Sequence, residues 1–296
     1  MRRICRLGLL ACLVSSLWHQ GSAAGAAEST PRPEDGLVAN ELYANAYFDL
    51  AFPLPSGWTQ GMAGPAPSVS GYYVLATLVP AGEFTGTILI AAQDLFFAAA
   101  PRDDAMATAR DLARSILQIE GMAVDRQPTQ VAIAGRIFGR VDFSGVGLFR
   151  STFFTHSRCH LVSFNLTANS PERLAALVLS LEKLGGVRGG AAAGADPVCI
   201  RDRAGPENLL SKVDPAASGP AFTPIPVRLV IGADGAVKHV HVIRATVEQR
   251  HNIEGARGQW KFRPHTVDGR ASEIETGLLI EFRSGGTVAY SGGDRR

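Results

Sequence analysis

The sequence predicts an α+β fold in two domains: an antiparallel sheet with two helices, followed by a small ββαβ unit. Three observations carry this expectation. Many short runs alternate apolar and polar residues with a period of two, while only two stretches before residue 185 repeat at helical spacing. A Gly/Ala-rich run at 185–196 has the composition of a flexible linker. Beyond it the chain reads strand, Asp-Gly turn, strand, helix, strand.

The N-terminus reads as a targeting signal. Arg2, Arg3 and Arg6 precede an apolar run at 7–18, and small residues at 22–27 offer a cleavage site, which we place after Ala26 (signal 1–26). His19 and Gln20 end the run short of the ~20 residues a membrane span needs, so no stable span is expected after cleavage. Leu9-Leu10-Ala11-Cys12 has lipobox character, giving lipid anchoring at Cys12 as the alternative, although few apolar residues precede it. Removal of residues 1–26 takes Lys+Arg from 29 to 26 against 27 Asp+Glu, a net charge of −1. A near-neutral surface offers no electrostatic case for nucleic acid. A hydrophobic content of 46% with 19% charged residues fits a globular chain with a real core. Cys159 and Cys199 remain after cleavage. An oxidising compartment permits one disulfide between them, and two separate thiols are the other reading.

Residues 27–40, with Pro31 and Pro33, read as a flexible leader, and the first domain spans 41–184. Its first strand is marked by Phe48, Leu50 and Phe52 alternating with Tyr47, Asp49 and Ala51, and is stopped by Pro53 and Pro55. Further strands are expected at 72–78, 87–92, 130–134, 136–144, 148–155 and 160–166. The first helix, 103–119, places Ala105, Ala109, Leu112, Ala113, Ile116 and Leu117 on one face. The second begins at Ser170 as N-cap with Pro171 at the first helical position, and buries Leu174, Leu177, Val178 and Leu181. Gly185 and Gly186 terminate it.

In the second domain, 197–283, residues 227–231 form a strand. Asp234-Gly235 turns the chain because Gly accepts positive φ without a steric cost. Residues 237–244 return, with Val240 and Val242 on one side and His239, His241 and Ile243 on the other. A helix of weak periodicity follows at 246–259, then Trp260, Phe262 and Pro264 alternating with Lys261 and Arg263, an Asp268-Gly269 turn and a last strand at 274–282. Residues 284–296 read as a flexible tail.

Two stretches resemble known families. The run at 227–237 (Val-x-Leu-Val-Ile-Gly-x-Asp-Gly-x-Val) and Gln259-Trp260-Lys261-Phe262-Arg263-Pro264 followed by Asp268-Gly269 resemble the TonB C-terminal domain family, across residues of about 197–283. The resemblance implies a ββαβ fold, pairing through a sheet edge, a homodimer as one state, and recognition of another envelope protein's extended segment by strand addition. The chain departs from that family in its cleavable-looking signal, in lacking a long Pro-rich spacer, and in having Ala216-Ala217-Ser218-Gly219-Pro220 where a Tyr-Pro usually stands. The opening strand with Pro53-Leu54-Pro55-Ser56-Gly57-Trp58, and the Ser170-Pro171 helix after a strand, are similar to PsbP/Mog1-like domains. That similarity implies a protein-binding α+β sandwich with no catalytic residues to carry over.

Candidate chemistry is sparse. His239 and His241 share a strand face and, with His251 or His265, could hold a metal; a polar, solvent-facing strand side is the plainer reading. His156, Cys159 and His160 could pair a thiol with a base, yet they lack a cysteine-hydrolase context. There is no Gly-x-Ser-x-Gly, P-loop or dinucleotide fingerprint. Trp58, Trp260, Phe262, Pro264 and Gly235 read as structural residues, and Lys261, Arg263 and Arg270 as a solvated face. The expected function is a periplasmic protein-interaction or envelope accessory protein, with no cofactor and no enzymatic activity. A TonB-type energy transducer with a retained N-terminal anchor, and a hydrolase or metal-dependent enzyme built on the first domain, are the alternatives.

Overall fold

The computed structural model describes residues 31–99, 104–187, 198–201, 203–216, 218, 224–282 and 288–292. The signal segment 1–26, Cys12, Ala26 and most of the 185–196 linker lie outside the described residues. The fold is α+β, and residues 31–296 form one compact unit containing two sheet-based lobes, each with its own core.

The first lobe opens with β1 (Leu37–Ala39), β2 (Leu42–Asn45) and β3 (Leu50–Pro53), a three-stranded antiparallel sheet. Then come β4 (Trp58–Gln60), β5 (Tyr72–Pro80), β6 (Gly86–Asp94), α1 (Ala105–Ile116), β7 (Met122–Ile133), β8 (Arg136–Gly145), β9 (Leu148–Ser157), β10 (His160–Ala168) and α2 (Pro171–Leu181). These strands build a seven-stranded antiparallel sheet in the order β4-β5-β6-β10-β9-β8-β7. Three consecutive hairpins in it turn on two-residue loops with both residues at positive φ: Ala134-Gly135, Val146-Gly147 and Arg158-Cys159. The first two use the expected glycine; the third has none.

The alternation of β10 places Val162, Phe164 and Leu166 on one face, where the small sheet and α2 cover them. Tyr43, Phe48, Leu50, Phe52, Phe138, Phe153, Leu177 and Leu181 complete that core. The helix α1 takes the opposite face, packing Ala109 and Ala113 on Val141 with Phe154 beside them. Its close approach needs Gly139 on β8, where a Cβ would overlap the Ala105 backbone. Ser170 caps α2 as the sequence implies, its Oγ accepting from Arg173 N (3.3 Å), while α1 starts later than the expected 103, with Asp104 as its N-cap accepting from Met106 N (2.8 Å).

The second lobe comprises β11 (Val198–Cys199), β12 (Leu209–Ser211), β13 (Ile225–Ile231), β14 (Val237–Val242), α3 (Val247–Ala256), β15 (Lys261–Phe262), β16 (His265–Val267), β17 (Arg270–Ser272), β18 (Ile274–Phe282) and β19 (Val288–Gly292). The sheet centres on β13, with β14 and β18 antiparallel on its two sides. On the far edge of β18 lie β11, parallel to it, and β19, antiparallel. Despite its weak periodicity, α3 is well started, because Thr246 and Gln249 form a reciprocal capping box. Trp260 and Phe262 are buried among Leu229, Ile253 and Leu278, and Trp260 Nε1 donates to Val213 O (2.7 Å). Phe262 N donates to Gly235 O (2.8 Å). Gly235 sits at φ +82°, and a Cβ there would overlap the Phe262 carbonyl.

Several expectations are corrected. The leader 27–40 is structured where described: β1 pairs with β2, and Asn45 Nδ2 donates to Pro33 O (2.9 Å). Polar, Pro-containing composition hid a short strand whose backbone bonds rather than side chains hold it. The first strand begins at Leu50, not Tyr47. Asp49 adopts φ +51°, and the turn buries both Tyr47 and Phe48. The strand expected at 130–134 extends back to Met122, an exposed edge whose register shifts hide its period. The linker does not start at 185, because Gly185 exchanges backbone hydrogen bonds with Ala51 (2.8 and 2.9 Å). Part of the 284–296 tail is β19, paired along β18.

Gly235→Ala should destabilise the protein by roughly 2–4 kcal/mol, combining overpacking with a left-handed backbone penalty. Phe262→Ala should cost about 3–5 kcal/mol. Urea unfolding of the protein checks both; a loss below 1 kcal/mol for either would place the aromatic wedge outside the stabilising core.

Candidate functional site

The concentration of buried polar groups lies where the two lobes meet. Asp94 ends β6, Arg228 stands in the middle of β13 and Glu275 near the start of β18, all three buried. Strand alternation explains the placement. On β13, Val227 and Leu229 point into the second core, so Arg228 points the other way, toward the first lobe. Its Nη1 bonds Asp94 Oδ2 (2.7 Å) and its Nη2 bonds Glu275 Oε2. Arg158, from the glycine-free hairpin, reaches Glu275 Oε1 (2.7 Å) and lies over the Tyr47 ring (4.3 Å). Arg228 in turn lies over Phe96 (4.9 Å). Two cations and two carboxylates therefore alternate across the seam.

His160 sits beneath them, fully buried and ringed edge-on by Tyr47, Phe48 and Tyr73 at 5.1–5.7 Å. Its Nδ1 lies 2.7 Å from the Arg158 carbonyl, which can only accept, so Nδ1 carries the proton. Nε2, 3.6 Å from Asp94 Oδ2, has no hydrogen-bond partner among the described residues. Burial, reinforced by the Arg228 charge, holds the imidazole well below its usual value and therefore neutral. Burial also raises the Asp94 carboxyl, against the pull of Arg228. For Arg228 burial acts downward, but the Asp94, Tyr47 and Glu275 interactions together outweigh it and hold the guanidinium charged.

Covalent and apolar ties flank these charges. Cys159, next to Arg158, is disulfide-bonded to Cys199 of β11 (Cα–Cα 5.7 Å). Ile243, one residue past β14, belongs to the first lobe's core, and a Cβ on Gly277 of β18 would overlap Phe96. His241 Nε2 meets Glu34 Oε1 (3.1 Å) and stacks near Tyr73 (6.5 Å).

The candidate residues fall out as follows. His241 is buried against the first lobe, so that face of β14 is an internal seam and not a solvent-facing side, while His239 is half-buried. Among the described residues no group of three His, Cys, Asp or Glu is arranged to hold a metal. Cys159 has no free thiol, which removes it as a nucleophile. Trp58 is half-buried against the first core, Gly235, Trp260 and Phe262 lie in the second lobe as described, and Pro264, Lys261, Arg263 and Arg270 are exposed. A groove of about 540 Å³ between α1 and β7 is lined by Arg110, Asp111, Arg114, Leu117, Gln127 and Pro128. Another, of about 340 Å³, is lined in part by Ile133, Arg140, Phe153, Val178 and Glu182. Neither groove presents a Ser, Cys or His. Sequence reasoning missed Asp94, Arg228 and Glu275. The available signal was a charge inside an apolar strand at Val227-Arg228-Leu229 and another at the start of the apolar run from Ile274, at Glu275.

No known family profile matches the chain, and no curated protein matches it. Solved structures similar to it include the cyanobacterial PsbP protein (CyanoP) from Synechocystis sp. PCC 6803, at 12% identity and TM-score 0.37, covering 56% of this chain and 98% of that one. PA94 from Pseudomonas aeruginosa is similar at 16% identity and TM-score 0.29, covering 50% and 93%. LpqN from Mycobacterium tuberculosis, involved in cell envelope biogenesis, is similar at 14% identity and TM-score 0.31, covering 46% and 82%.

Arg228→Met should cost about 3–5 kcal/mol, because it leaves the buried Asp94 carboxylate without its cation and Glu275 with Arg158 alone. The triple change Asp94→Asn, Arg228→Met, Glu275→Gln should cost less than the single one, as equilibrium unfolding at pH 7 will show. His160 adds a pH dependence. Its native value is depressed, so its contribution is complete above the ordinary 6.5 and is lost as pH falls below that, when the unfolded chain takes up a proton the native state refuses. The loss should approach ~1.4 kcal/mol per pH unit. Unfolding titrations between pH 7 and pH 5 should show this slope diminished in His160→Gln.

Proposed function

We propose that this chain is an exported, non-enzymatic envelope protein that binds another envelope protein by taking up an extended segment along β14. The observation that carries the reading is the outer edge of β14. Among the described residues β13 is its only strand neighbour beyond an isolated bridge at Ala236. Ile243 N donates to Pro226 O (3.0 Å), so the ladder alternates to leave the backbone groups of Val240 and Val242 pointing away from β13. Arg250 takes the Val242 carbonyl (2.6 Å) from that side. With the Val242 carbonyl already bonded, the backbone groups of Val240 are what this edge offers a partner strand.

Two further features support the reading. A disulfide between lobes suits an oxidising compartment, in keeping with the signal-like N-terminus. Trp260 and Phe262 are buried in the second core and α3 follows β14 in the chain, which supports the resemblance read from residues 227–237 and 259–264. Among the described residues no helix is long and apolar enough to cross a membrane.

A photo-crosslinking residue at Lys238, an exposed position on β14, tests this in cells exporting the full chain. The expected result is a discrete adduct with one envelope protein, absent when the probe stands at exposed Leu179 on α2. Equal labelling at both positions, or none at 238, would contradict edge binding.

A further inference from the structure

We propose that the Cys159–Cys199 bridge is a redox latch on the seam: a dithiol reductant opens it in the folded protein, releasing β11 from β18 while both cores stay intact. Three observations lead there. First, β11 is only two residues long and exposed at both, so it contributes almost nothing to the second core. It is held to β18 by parallel pairing of Val198 with Ile274 and Cys199 with Glu275, by Ile200 N donating to Glu275 O (3.0 Å), and by the bridge; beyond it Ile200 packs against the second core, Thr276 Oγ1 donates to Arg201 O (3.3 Å) and Arg201 bonds the Leu95 carbonyl. A two-residue strand without apolar burial has little to offset its ordering entropy once the covalent tie is gone.

Second, the other half of the bridge sits in a turn that opposes its own residues. Arg158 and Cys159 lie at φ +47° and +60°, whereas the two preceding hairpins place glycine second. Left-handed backbone is unfavourable for a non-glycine residue, and such strain persists only where surroundings impose it. Here the imposing contacts are Arg158 on Glu275 and Tyr47, the Arg158 carbonyl on His160, and the bridge itself. Third, these contacts converge on one residue. Glu275 pairs with Cys199 through its backbone, and with Arg158 and Arg228 through its carboxylate. Opening the bridge thus removes a restraint from both ends of the same seam.

The chemistry balances as ordinary exchange. A thiolate of the dithiol attacks Sγ of Cys199, whose residue is exposed where Cys159 is only 5% exposed. The S–S bond breaks, and Cys159 leaves as a thiolate that takes a proton. The second thiol of the reductant, deprotonated, then displaces Cys199, which is protonated in turn, and the reductant departs as its disulfide. Two electrons and two protons pass to the protein. Release of β11 uncovers the Ile274–Glu275 edge of β18 that it now occupies. The inference stands on the bridge and its surroundings and does not depend on the binding role of β14.

The test uses the intact exported protein in dithiothreitol buffers of graded potential without denaturant, with thiols counted by alkylation and mass spectrometry. Hydrogen exchange is followed in parallel. On reduction, protection at 198–200 and at the paired start of β18 should fall by roughly tenfold or more, with β13 and β10 unchanged. The Cys159→Ser, Cys199→Ser double variant should show the same pattern without reductant. If it does not fold, reduction of the native chain still decides. A bridge that resists reduction until the chain unfolds, reduction that leaves 198–200 protected, or reduction that unfolds either core would each overturn the proposal.

Discussion

Arg228 holds the two lobes in one register. A guanidinium on the back of a core strand is an expensive residue to bury, and it is tolerated here because each of its two arms meets a carboxylate from a different sheet. Asp94 belongs to the first lobe and Glu275 to the second, so the arrangement is satisfied only when the lobes are docked. Arg158 closes the chain from the β9–β10 turn, and the bridge at Cys159 fastens that turn to β11. Charge pairs of this kind contribute less through net energy than through the penalty for any arrangement that leaves one of them unpaired.

Around this seam the geometry is set by side chains that are absent as much as by those present. Gly277 lets Phe96 and Phe97 come against β18, Gly139 lets α1 rest on the large sheet, and Gly235 brings the Phe262 carbonyl against the β13–β14 turn. The aromatic wedge and the charged seam occupy opposite faces of one sheet. Val227 and Leu229 serve the first and Arg228 the second, so the residues that define the second lobe's fold also aim its docking face. A binding edge on β14 would thereby be presented by a rigid body. Affinity benefits when the acceptor strand is already ordered.

Much of the architecture was legible. Alternation located most long strands, the Ser170-Pro171 start located α2, and the Trp260-Lys261-Phe262 pattern marked a buried pair. The misses share a cause. The short strand β11 is held by backbone bonds to β18, distant in sequence, and no local pattern reports it. The turn at Arg158-Cys159 carries no glycine, so its left-handed conformation follows from tertiary contacts alone. The same holds at His241, where a residue on the face opposite Val240 and Val242 looked solvent-facing because the second lobe was considered without the first. The candidate site was least legible, since it arises from pairs such as Asp94 and Arg228, 134 positions apart, that only the docked lobes bring together.

The central claim is that the lobes behave as one cooperative body. Native-state hydrogen exchange on the oxidised chain tests it most directly, by comparing opening free energies for the central strands β6 and β10 with those for β13 and β18. Equal values in the unmodified chain, splitting apart when Arg228 is replaced by Met, are the predicted result. A second lobe that opens at distinctly lower free energy than the first while the bridge is intact would contradict it.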